Sequence, residues 1–249
     1  MEKIRISAVN YLNTKPFLRG LIDTNILENY SLSLDHPAES ARKLIDGEVD
    51  IALVPVTQIF KYSHLIPVTA YGIAALGAVK TVVLFSECPL EDIEVIWLDY
   101  QSRTSVLLVQ ALAKEKWHIA PTFVPAEMGY ENNINGKTAA VVIGDRTISM
   151  FGKYPYEYDL SEQWHAFTRK GFVFARWTSN RPLPPQIIEQ LNEAFSVGLT
   201  HIDEVVQAYR HFETPHFSVE QYLKSNIHFH IKEIHQQGQD LFEHIISNI

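Results

Sequence analysis

Several features that mark other classes of protein are scarce in this sequence. Cys88 is the one cysteine among 249 residues, so no disulfide can form within the chain, as expected for a reducing cytoplasm. No apolar run reaches the ~18 residues of a membrane span, and no apolar segment of about 7–15 residues follows Lys3 and Arg5. We therefore expect a cytoplasmic protein without a signal peptide and without a membrane partner.

Basic residues are also scarce. The sequence has 21 Lys and Arg against 29 Asp and Glu, which gives a formal net charge of −8. Because a nucleic-acid-binding surface normally carries a basic patch, we expect no nucleic-acid partner. An anionic ligand is compatible with this charge only where local cations and helix ends outweigh the global field.

Common catalytic and cofactor signatures are missing or incomplete. The stretch from Gly72 to Thr81 resembles a phosphate loop, but Lys80 comes three residues after Gly77, whereas a Walker loop places the lysine directly after the glycine. The sequence has no G-x-S-x-G elbow, and Cys88 has no evident catalytic partner. Eleven histidines are present, but those near the C-terminus lack cysteine partners and H-x-x-x-H spacing, so we expect no metal site.

What is present is typical of a globular protein with a sizeable core. The chain is 46% hydrophobic and 20% charged. Its length allows one large domain or two lobes of ~100–150 residues.

The opening stretch predicts a strand, a polar turn and a helix. Residues 4–9 form a short apolar run that begins with period-two alternation, which favours a buried strand. Asn10, Asn13 and Thr14 are turn or cap residues, and Pro16 suits the first turn of a helix. A helix that begins at the end of a strand presents free backbone N–H groups. The turn is therefore either an ordinary capped turn or a seat for a carboxylate or phosphate.

A second stretch repeats this pattern. A strand at residues 95–98 is followed by a polar turn and then by an amphipathic helix from residue 106 to about 115. Ser102, Arg103, Thr104 and Ser105 place three hydroxyls and a guanidinium at the start of this helix, a set of donors suited to a carboxylate. The alternative is a helix cap with an exposed arginine. Thr57 follows an apolar strand in a similar way.

The remaining pattern predicts an α/β protein. A strand at 30–35, a helix at 37–46 and a strand at 50–55 predict a parallel βαβ unit. We further expect a long β-rich region at 71–85, strands at 139–145 and 171–177, an irregular segment at 150–160, and three C-terminal helices separated near Pro215 and Ile227. The two strand–turn–helix clusters predict two lobes that face each other across a cleft lined by the carboxyl ends of their strands.

Several motifs together resemble those of a known family. The resemblance rests on Ser7–Pro16 (SAVNYLNTKP), Gly47–Pro55, Lys80–Ser86, Ser102–Ser105, Ile143–Asp145, Asp159–Trp164, Phe172–Trp177, Tyr222–Leu223 and Ile227–Phe229. Through most of its length the chain is similar to the chorismate dehydratases, enzymes of the futalosine route to menaquinone. One departure is Thr168–Gly171, where the family usually has a Thr-Gly-x-Pro turn.

The resemblance implies a two-lobed fold like that of type 2 periplasmic binding proteins, used here as a cytoplasmic enzyme. Lobe one would comprise residues 1–86 and 173–249, and lobe two residues 87–172. The two connections near Ser86 and Phe172 would form the hinge.

The resemblance also implies the reaction. A dehydratase of this family is a hydro-lyase that converts chorismate to 3-[(1-carboxyvinyl)oxy]benzoate and water. Because aromatisation drives the step, the reaction requires neither a metal nor a redox cofactor. Two alternatives share the fold: a non-catalytic protein that binds small anions, and the sister dihydroxynaphthoate synthase. The missing export signal argues against the first, and the Tyr11–Asn13 opening argues against the second. The oligomeric state stays open.

Residue roles follow from the same resemblance. Asn13 matches the family's active-site asparagine and would orient the substrate, whereas the enolpyruvyl carboxylate of the substrate would act as the base. Ser102, Thr104 and Ser105 would hold one substrate carboxylate. The expected contributors from lobe one are Thr57, Thr81 and Ser86, and the candidate positive charges are Arg103, Lys15 and Lys80.

Overall fold

The computed structural model describes residues 3–249 and arranges eleven strands within them in two sheets. The strands are β1 (Ile4–Val9), β2 (Tyr30–Asp35), β3 (Ile51–Pro55), β4 (Ile66–Ala75), β5 (Val82–Ser86), β6 (Val95–Leu98), β7 (Thr122–Pro125), β8 (Thr138–Ile143), β9 (Tyr156–Asp159), β10 (Phe172–Ser179) and β11 (His228–His230). We call each sheet, with the helices packed on it, a lobe.

The helices connect the strands and cover both sheets. They are α1 (Lys15–Asp23), α2 (Pro37–Ile45), α3 (Val56–Lys61), α4 (Thr104–Leu112), α5 (Leu160–Thr168), α6 (Pro185–Thr200), α7 (Ile202–Ala208), α8 (Val219–Gln221) and α9 (Glu233–Ile246). Short 3₁₀ turns include Leu12–Thr14 before α1 and Gly144–Ser149 after β8, and π-helical turns extend α4 (Ala113–Trp117) and α8 (Tyr222–Asn226). None of the helices within residues 3–249 combines the length and the apolar character needed to cross a membrane.

The first sheet has six strands in the order β11-β4-β10-β3-β1-β2. β1 pairs in parallel with both β2 and β3. The two strands of the predicted βαβ unit, β2 and β3, therefore run parallel, but β1 lies between them. β10 is antiparallel to both of its neighbours, β3 and β4.

The second sheet has five strands in the order β7-β6-β8-β5-β9. β6 is parallel to β7 and β8, whereas β5 is antiparallel to β8 and β9. Sheet membership therefore differs from the expected boundary at residue 86, because β5 belongs to the second sheet and not to the first. The chain crosses between the sheets at residues 76–81 and returns at 169–171, just before β10.

Three strands that the sequence pattern does not predict, β7, β9 and β11, lie at sheet edges. They have four, four and three residues, and none has a continuous buried run. Edge strands are commonly short and half-solvated, so their hydrophobic pattern is weak. The expectation of an irregular segment at 150–160 is thus wrong for Tyr156–Asp159, which pairs with β5.

The C-terminal third also differs from the expected three helices. Helix α6 ends at Thr200, and α7 begins two residues later, well before Pro215. The expected break near Ile227 is followed by strand β11, which pairs with β4.

Helix α1 is held against α6 by direct backbone contact. A Cβ added at Gly20 would lie 1.7 Å from the carbonyl oxygen of Ala194, and one added at Gly198 would lie 2.0 Å from that of Pro16. Beneath this crossing, the ring centroids of Phe17, Trp177 and Phe195 lie 4.8–5.8 Å apart. This packing fixes the start of α1, and with it the turn that carries Asn13.

We expect Gly198→Ala to destabilise the protein by ~3 kcal/mol, because the added methyl group must separate two backbones. A loss of this size corresponds to a fall in Tm of roughly 6–12 °C for a chain of this length. The control is Ser196→Ala, on the exposed face of the same helix, which should change stability by less than about 0.5 kcal/mol. Thermal denaturation followed by circular dichroism tests both variants, and equal Tm values would contradict the close contact.

Candidate active site

A cleft of about 600 Å³ lies between the two sheets. The carboxyl ends of β1 and β3 border it from one side, and the segments that follow β6 and β8 border it from the other. The residues that line it are Val9, Tyr11, Asn13, Pro37, Leu53, Pro55, Ile73, Val79, Thr81, Val82, Ser102, Arg103, Thr104, Ser105, Ile143, Gly144, Phe174 and Ala175.

Most of the predicted site residues meet in this cleft. Asn13 and Thr81 line it from the first lobe and the crossing segment, and Ser102–Ser105 line it from the start of α4. Thr57 lies just behind, with its Oγ1 3.3 Å from Oγ1 of Thr104, and borders a separate open groove.

The structure does not bring Ser86 to the cleft. Its hydroxyl donates to the carbonyl oxygen of Cys88 at 2.8 Å and accepts from the Cys88 N–H at 3.1 Å, which closes a local turn. Thr81 stands at the beginning of β5 and Ser86 at its end, a separation of about 17 Å along an extended strand. The geometry therefore gives no support to the predicted role of Ser86 in substrate binding, because Ser86 ends β5 whereas Thr81 directly precedes it.

The turn before α4 combines a cap with free donors. Ser102 Oγ accepts the N–H of Ser105 at 2.9 Å, so this hydroxyl caps the helix, as the alternative interpretation proposed. Within residues 3–249, neither the hydroxyl of Ser105 nor the guanidinium of Arg103 has a hydrogen-bond partner. These two groups are the free donors of the turn, and both border the cleft.

The buried side chain of Asp99 stabilises this turn through backbone hydrogen bonds. Asp99 Oδ1 accepts the N–H of Gln101 at 2.9 Å, and Oδ2 accepts the N–H of Ile143 at 2.9 Å and the hydroxyl of Tyr130 at 2.8 Å. The residues that follow β6 and β8 are thereby tied together behind the cleft.

Asn13 belongs to a buried hydrogen-bond network that the sequence pattern does not predict. Its Oδ1 accepts from the hydroxyl of Thr14 at 3.3 Å, and its amide lies close enough to the phenol of Tyr222 to lower the pKa of that phenol. The Tyr222 oxygen lies 2.9 Å from Thr81 Oγ1. Burial raises the pKa of Tyr222, so at neutral pH its side chain is a neutral phenol. One fully buried hydroxyl is thus bonded to Thr81 and lies near Asn13.

The helix start that follows β1 is already occupied by a carboxylate of the protein. The backbone N–H of Leu12 donates to both oxygens of Asp145, at 3.1 Å each. Burial raises the pKa of Asp145 to about 6, although the Leu12 N–H and the charge of Lys15 act in the opposite direction. Asp145 of the second lobe therefore occupies the position where we expected an external anion to bind.

Tyr11 makes a second link across the cleft. Its hydroxyl donates to Gln101 Oε1 at 2.6 Å, and its ring lies against Gly144, where an added Cβ would come within 2.6 Å. Gly144 also has a φ of +68°, a conformation that glycine adopts without strain. Together with the Leu12–Asp145 contact, these bonds hold the two lobes in contact along one side of the cleft.

Positive charge in the cleft comes from Arg103. Lys15 Nζ donates to Asn10 Oδ1 at 2.7 Å, and Lys80 Nζ lies 6.0 Å from the ring centroid of Phe151. Neither lysine is among the residues that line the cleft, so the predicted roles of Lys15 and Lys80 have no support in the geometry.

The C-terminal histidines form a structural pair. His235 Nδ1 accepts the N–H of Lys232 at 3.0 Å, so its Nε2 carries the proton and donates to His228 Nδ1, also at 3.0 Å. Burial lowers the pKa of His235 to about 4. In the part of the chain that the structure describes, no group of three or more His, Cys, Asp or Glu side chains is arranged to hold a metal ion.

The sequence pattern does not predict that Tyr222, Asp145 and Gln101 lie at this site. Each is far from its partner along the chain, with separations of 141 for Tyr222–Thr81, 133 for Asp145–Leu12 and 90 for Gln101–Tyr11. Asp145 and Tyr222 could have been singled out from the sequence only because they belong to the family motifs Ile143–Asp145 and Tyr222–Leu223.

Comparison with known proteins supports both the fold and the family. A protein from Archaeoglobus fulgidus has a crystal structure with a TM-score of 0.75 at 11% identity, covering 99% of this chain and 97% of that chain. The periplasmic aliphatic sulphonate binding protein SsuA from Escherichia coli gives a TM-score of 0.61 at 13% identity, covering 100% of this chain and 86% of that chain. These similarities confirm the two-lobed α/β fold of periplasmic binding proteins.

Sequence similarity is more specific. A chorismate dehydratase from Thermus thermophilus is 29% identical over 255 aligned residues, covering 93% of this chain and 91% of that protein. A family model described as "Menaquinone biosynthesis" matches residues 4–248. The chain therefore belongs to the menaquinone biosynthesis family.

Proposed function

We propose that this chain is a chorismate dehydratase, a hydro-lyase that converts chorismate to 3-[(1-carboxyvinyl)oxy]benzoate and water. The observation that carries the proposal is the convergence of Asn13, Thr81, Arg103 and Ser105 on one cleft of about 600 Å³. The family match and the dehydratase from Thermus thermophilus support it. The reaction belongs to the futalosine route and takes place in the cytoplasm.

The donor set suits a dianionic substrate. At the start of α4, the guanidinium of Arg103 and the hydroxyl of Ser105 bind one carboxylate, with Thr104 beside them and Thr57 supporting Thr104 from the first lobe. The helix start adds the positive end of its dipole. Ser102 acts mainly by holding the turn in shape, because its oxygen already accepts a backbone N–H.

The chemical step is an elimination. The enolpyruvyl carboxylate of the substrate takes the proton from the neighbouring ring carbon, the C–H electrons form the new ring double bond, and the C–O bond to the ring hydroxyl breaks. The departing oxygen takes the proton that the enolpyruvyl carboxylate has accepted and leaves as water, which regenerates the carboxylate. Asn13 donates to the departing oxygen and Thr81 fixes the ring beside it, so the protein contributes mainly orientation and hydrogen bonds.

Incubation of the purified protein with chorismate, followed by mass spectrometry, separates the three candidate functions. Formation of the benzoate supports the dehydratase. Calorimetric binding of chorismate without a product would point to a non-catalytic binding protein, and the absence of both would leave the sister dihydroxynaphthoate synthase to be tested with its own substrate.

Asn13→Ala should lower kcat by ~10²-fold and change KM little, because the amide orients reacting groups more than it holds the substrate. Asn10→Ala provides a matched control, since Asn10 is exposed in the same turn and bonds to Lys15. Steady-state kinetics on both variants tests the assignment. Wild-type turnover by Asn13→Ala would reject the role of Asn13.

Ser105→Ala and Ser102→Ala should differ in what they affect. Ser105 has a free hydroxyl, so its removal should raise KM several-fold and leave Tm unchanged. Ser102→Ala removes a helix cap and should cost about 1 kcal/mol of stability as well. Measuring KM and Tm for both tests this division, and an unchanged KM for Ser105→Ala would contradict carboxylate binding at this hydroxyl.

Tyr222→Phe should lower kcat about tenfold, because Thr81 loses its hydrogen-bond partner and Asn13 loses the polar group beside it. Tyr30→Phe is the control: Tyr30 is also buried, and its hydroxyl donates to Gln190 at 2.8 Å, away from the cleft. A double-mutant cycle with Thr81→Val should show non-additive effects on kcat. Additive effects would mean that Tyr222 and Thr81 act independently.

A further inference from the structure

Asp145 is bound in an unusual way for a half-buried carboxylate. Both of its oxygens accept the N–H of Leu12, the first residue of the 3₁₀ turn that carries Asn13. Asp145 itself follows β8 in the second lobe, whereas Leu12 follows β1 in the first. The backbone next to Asn13 is therefore anchored from the opposite side of the cleft.

This contact does not resemble an ordinary structural ion pair. Within residues 3–249, no Lys, Arg or His nitrogen lies within ion-pair distance of Asp145, and the nearby Lys15 donates to Asn10. Burial raises the pKa of Asp145 to about 6, so its charged form destabilises the fold at neutral pH. Asp50 shows the contrast: it pairs with Arg5 and Arg181, and its pKa is lowered.

We propose that Asp145 is a positioning residue for Asn13, and that it completes the Asn13 turn only when the two lobes are in contact. The proposal rests on the dehydratase function. Asp145 is absent from the cleft lining, so it acts through the Leu12 N–H and not on the substrate. Contact between the lobes therefore also aligns Asn13 with the reacting groups. This alignment matters because a displacement of a catalytic group by about 1 Å can lower the rate 10²-fold.

The contact predicts an acidic limit to activity. The groups that face Asp145 are Lys15, Tyr11 and Tyr222, together with the Leu12 N–H. Burial raises the pKa of both tyrosines above their usual range, and it lowers that of Lys15 from a value near 10.5. Asp145 is therefore the group in this contact that titrates near pH 6, and its protonation removes the charge that accepts the Leu12 N–H.

The stability of the fold should change in the opposite sense. Because the folded-state pKa of Asp145 lies above the usual value of 3.8, the folded protein binds this proton more tightly than the unfolded chain does. Protonation as the pH falls through about 6 thus stabilises the fold while it weakens the anchor of Asn13. Loss of activity without loss of stability is the signature of the positioning role.

The test compares Asp145→Asn with Asp50→Asn. Asp145→Asn should lower kcat at least tenfold at pH 7.5 without lowering Tm, and its kcat should lack the fall near pH 6 that the wild type shows. Asp50→Asn should lower Tm, because two ion pairs with Asp50 are lost, and leave kcat and its pH profile unchanged. Asp145→Glu keeps the negative charge but moves it, so this variant should have a lower kcat whose pH profile still falls at acidic pH.

Hydrogen exchange at the Leu12 amide gives a readout independent of turnover. The amide should exchange at least tenfold faster in Asp145→Asn than in the wild type. Unchanged exchange, wild-type kcat in Asp145→Asn, or a wild-type profile without an acidic limb would each overturn the proposal. If the wild type forms no benzoate, the proposed function fails and the catalytic role of Asp145 fails with it, whereas the exchange data still show whether the Leu12 contact exists.

Discussion

Two crossings between the sheets determine where the site lies. After each crossing the chain first forms a strand that runs antiparallel to its neighbours, β5 in the second sheet and β10 in the first. The parallel strands β1, β3, β6 and β8 are left with their carboxyl ends at the boundary between the lobes. Polar turns and helix starts from both lobes consequently face one cleft, and every candidate group depends on that arrangement.

The lining of the cleft offers mainly hydroxyls and a helix start to an anionic ligand. Arg103 is the cation on its lining, while Lys15 and Lys80 are directed elsewhere. The chain as a whole has a net charge of −8, so donors close to the ligand must outweigh an unfavourable global field. The other helix start, at Leu12, is satisfied by Asp145 from within the protein. One turn therefore leaves its donors open to the cleft, as the proposed carboxylate site requires, and the other links the two lobes.

Local elements were largely predictable. The bounds of β2 and β6 agree with the sequence pattern, because apolar alternation or a short apolar run is strong there. The parallel direction of β2 and β3 followed from the helix-length connection between them, whereas the position of β1 between these strands was not predicted. The edge strands β7, β9 and β11 were not predictable, since half-solvated pairing leaves little hydrophobic signal.

By itself, the sequence determined the features that depend on neighbours along the chain: the strand–turn–helix starts, the cap at Ser102 and the candidates Asn13, Arg103 and Ser105. Only the tertiary structure decided that Thr81 reaches the cleft while Ser86, at the far end of the same strand, does not. It also placed Tyr222 and Asp145 beside the Asn13 turn, across separations of 141 and 133 residues from their partners. Such contacts depend on how the sheets pair and how the lobes meet, and no local pattern of residues encodes either.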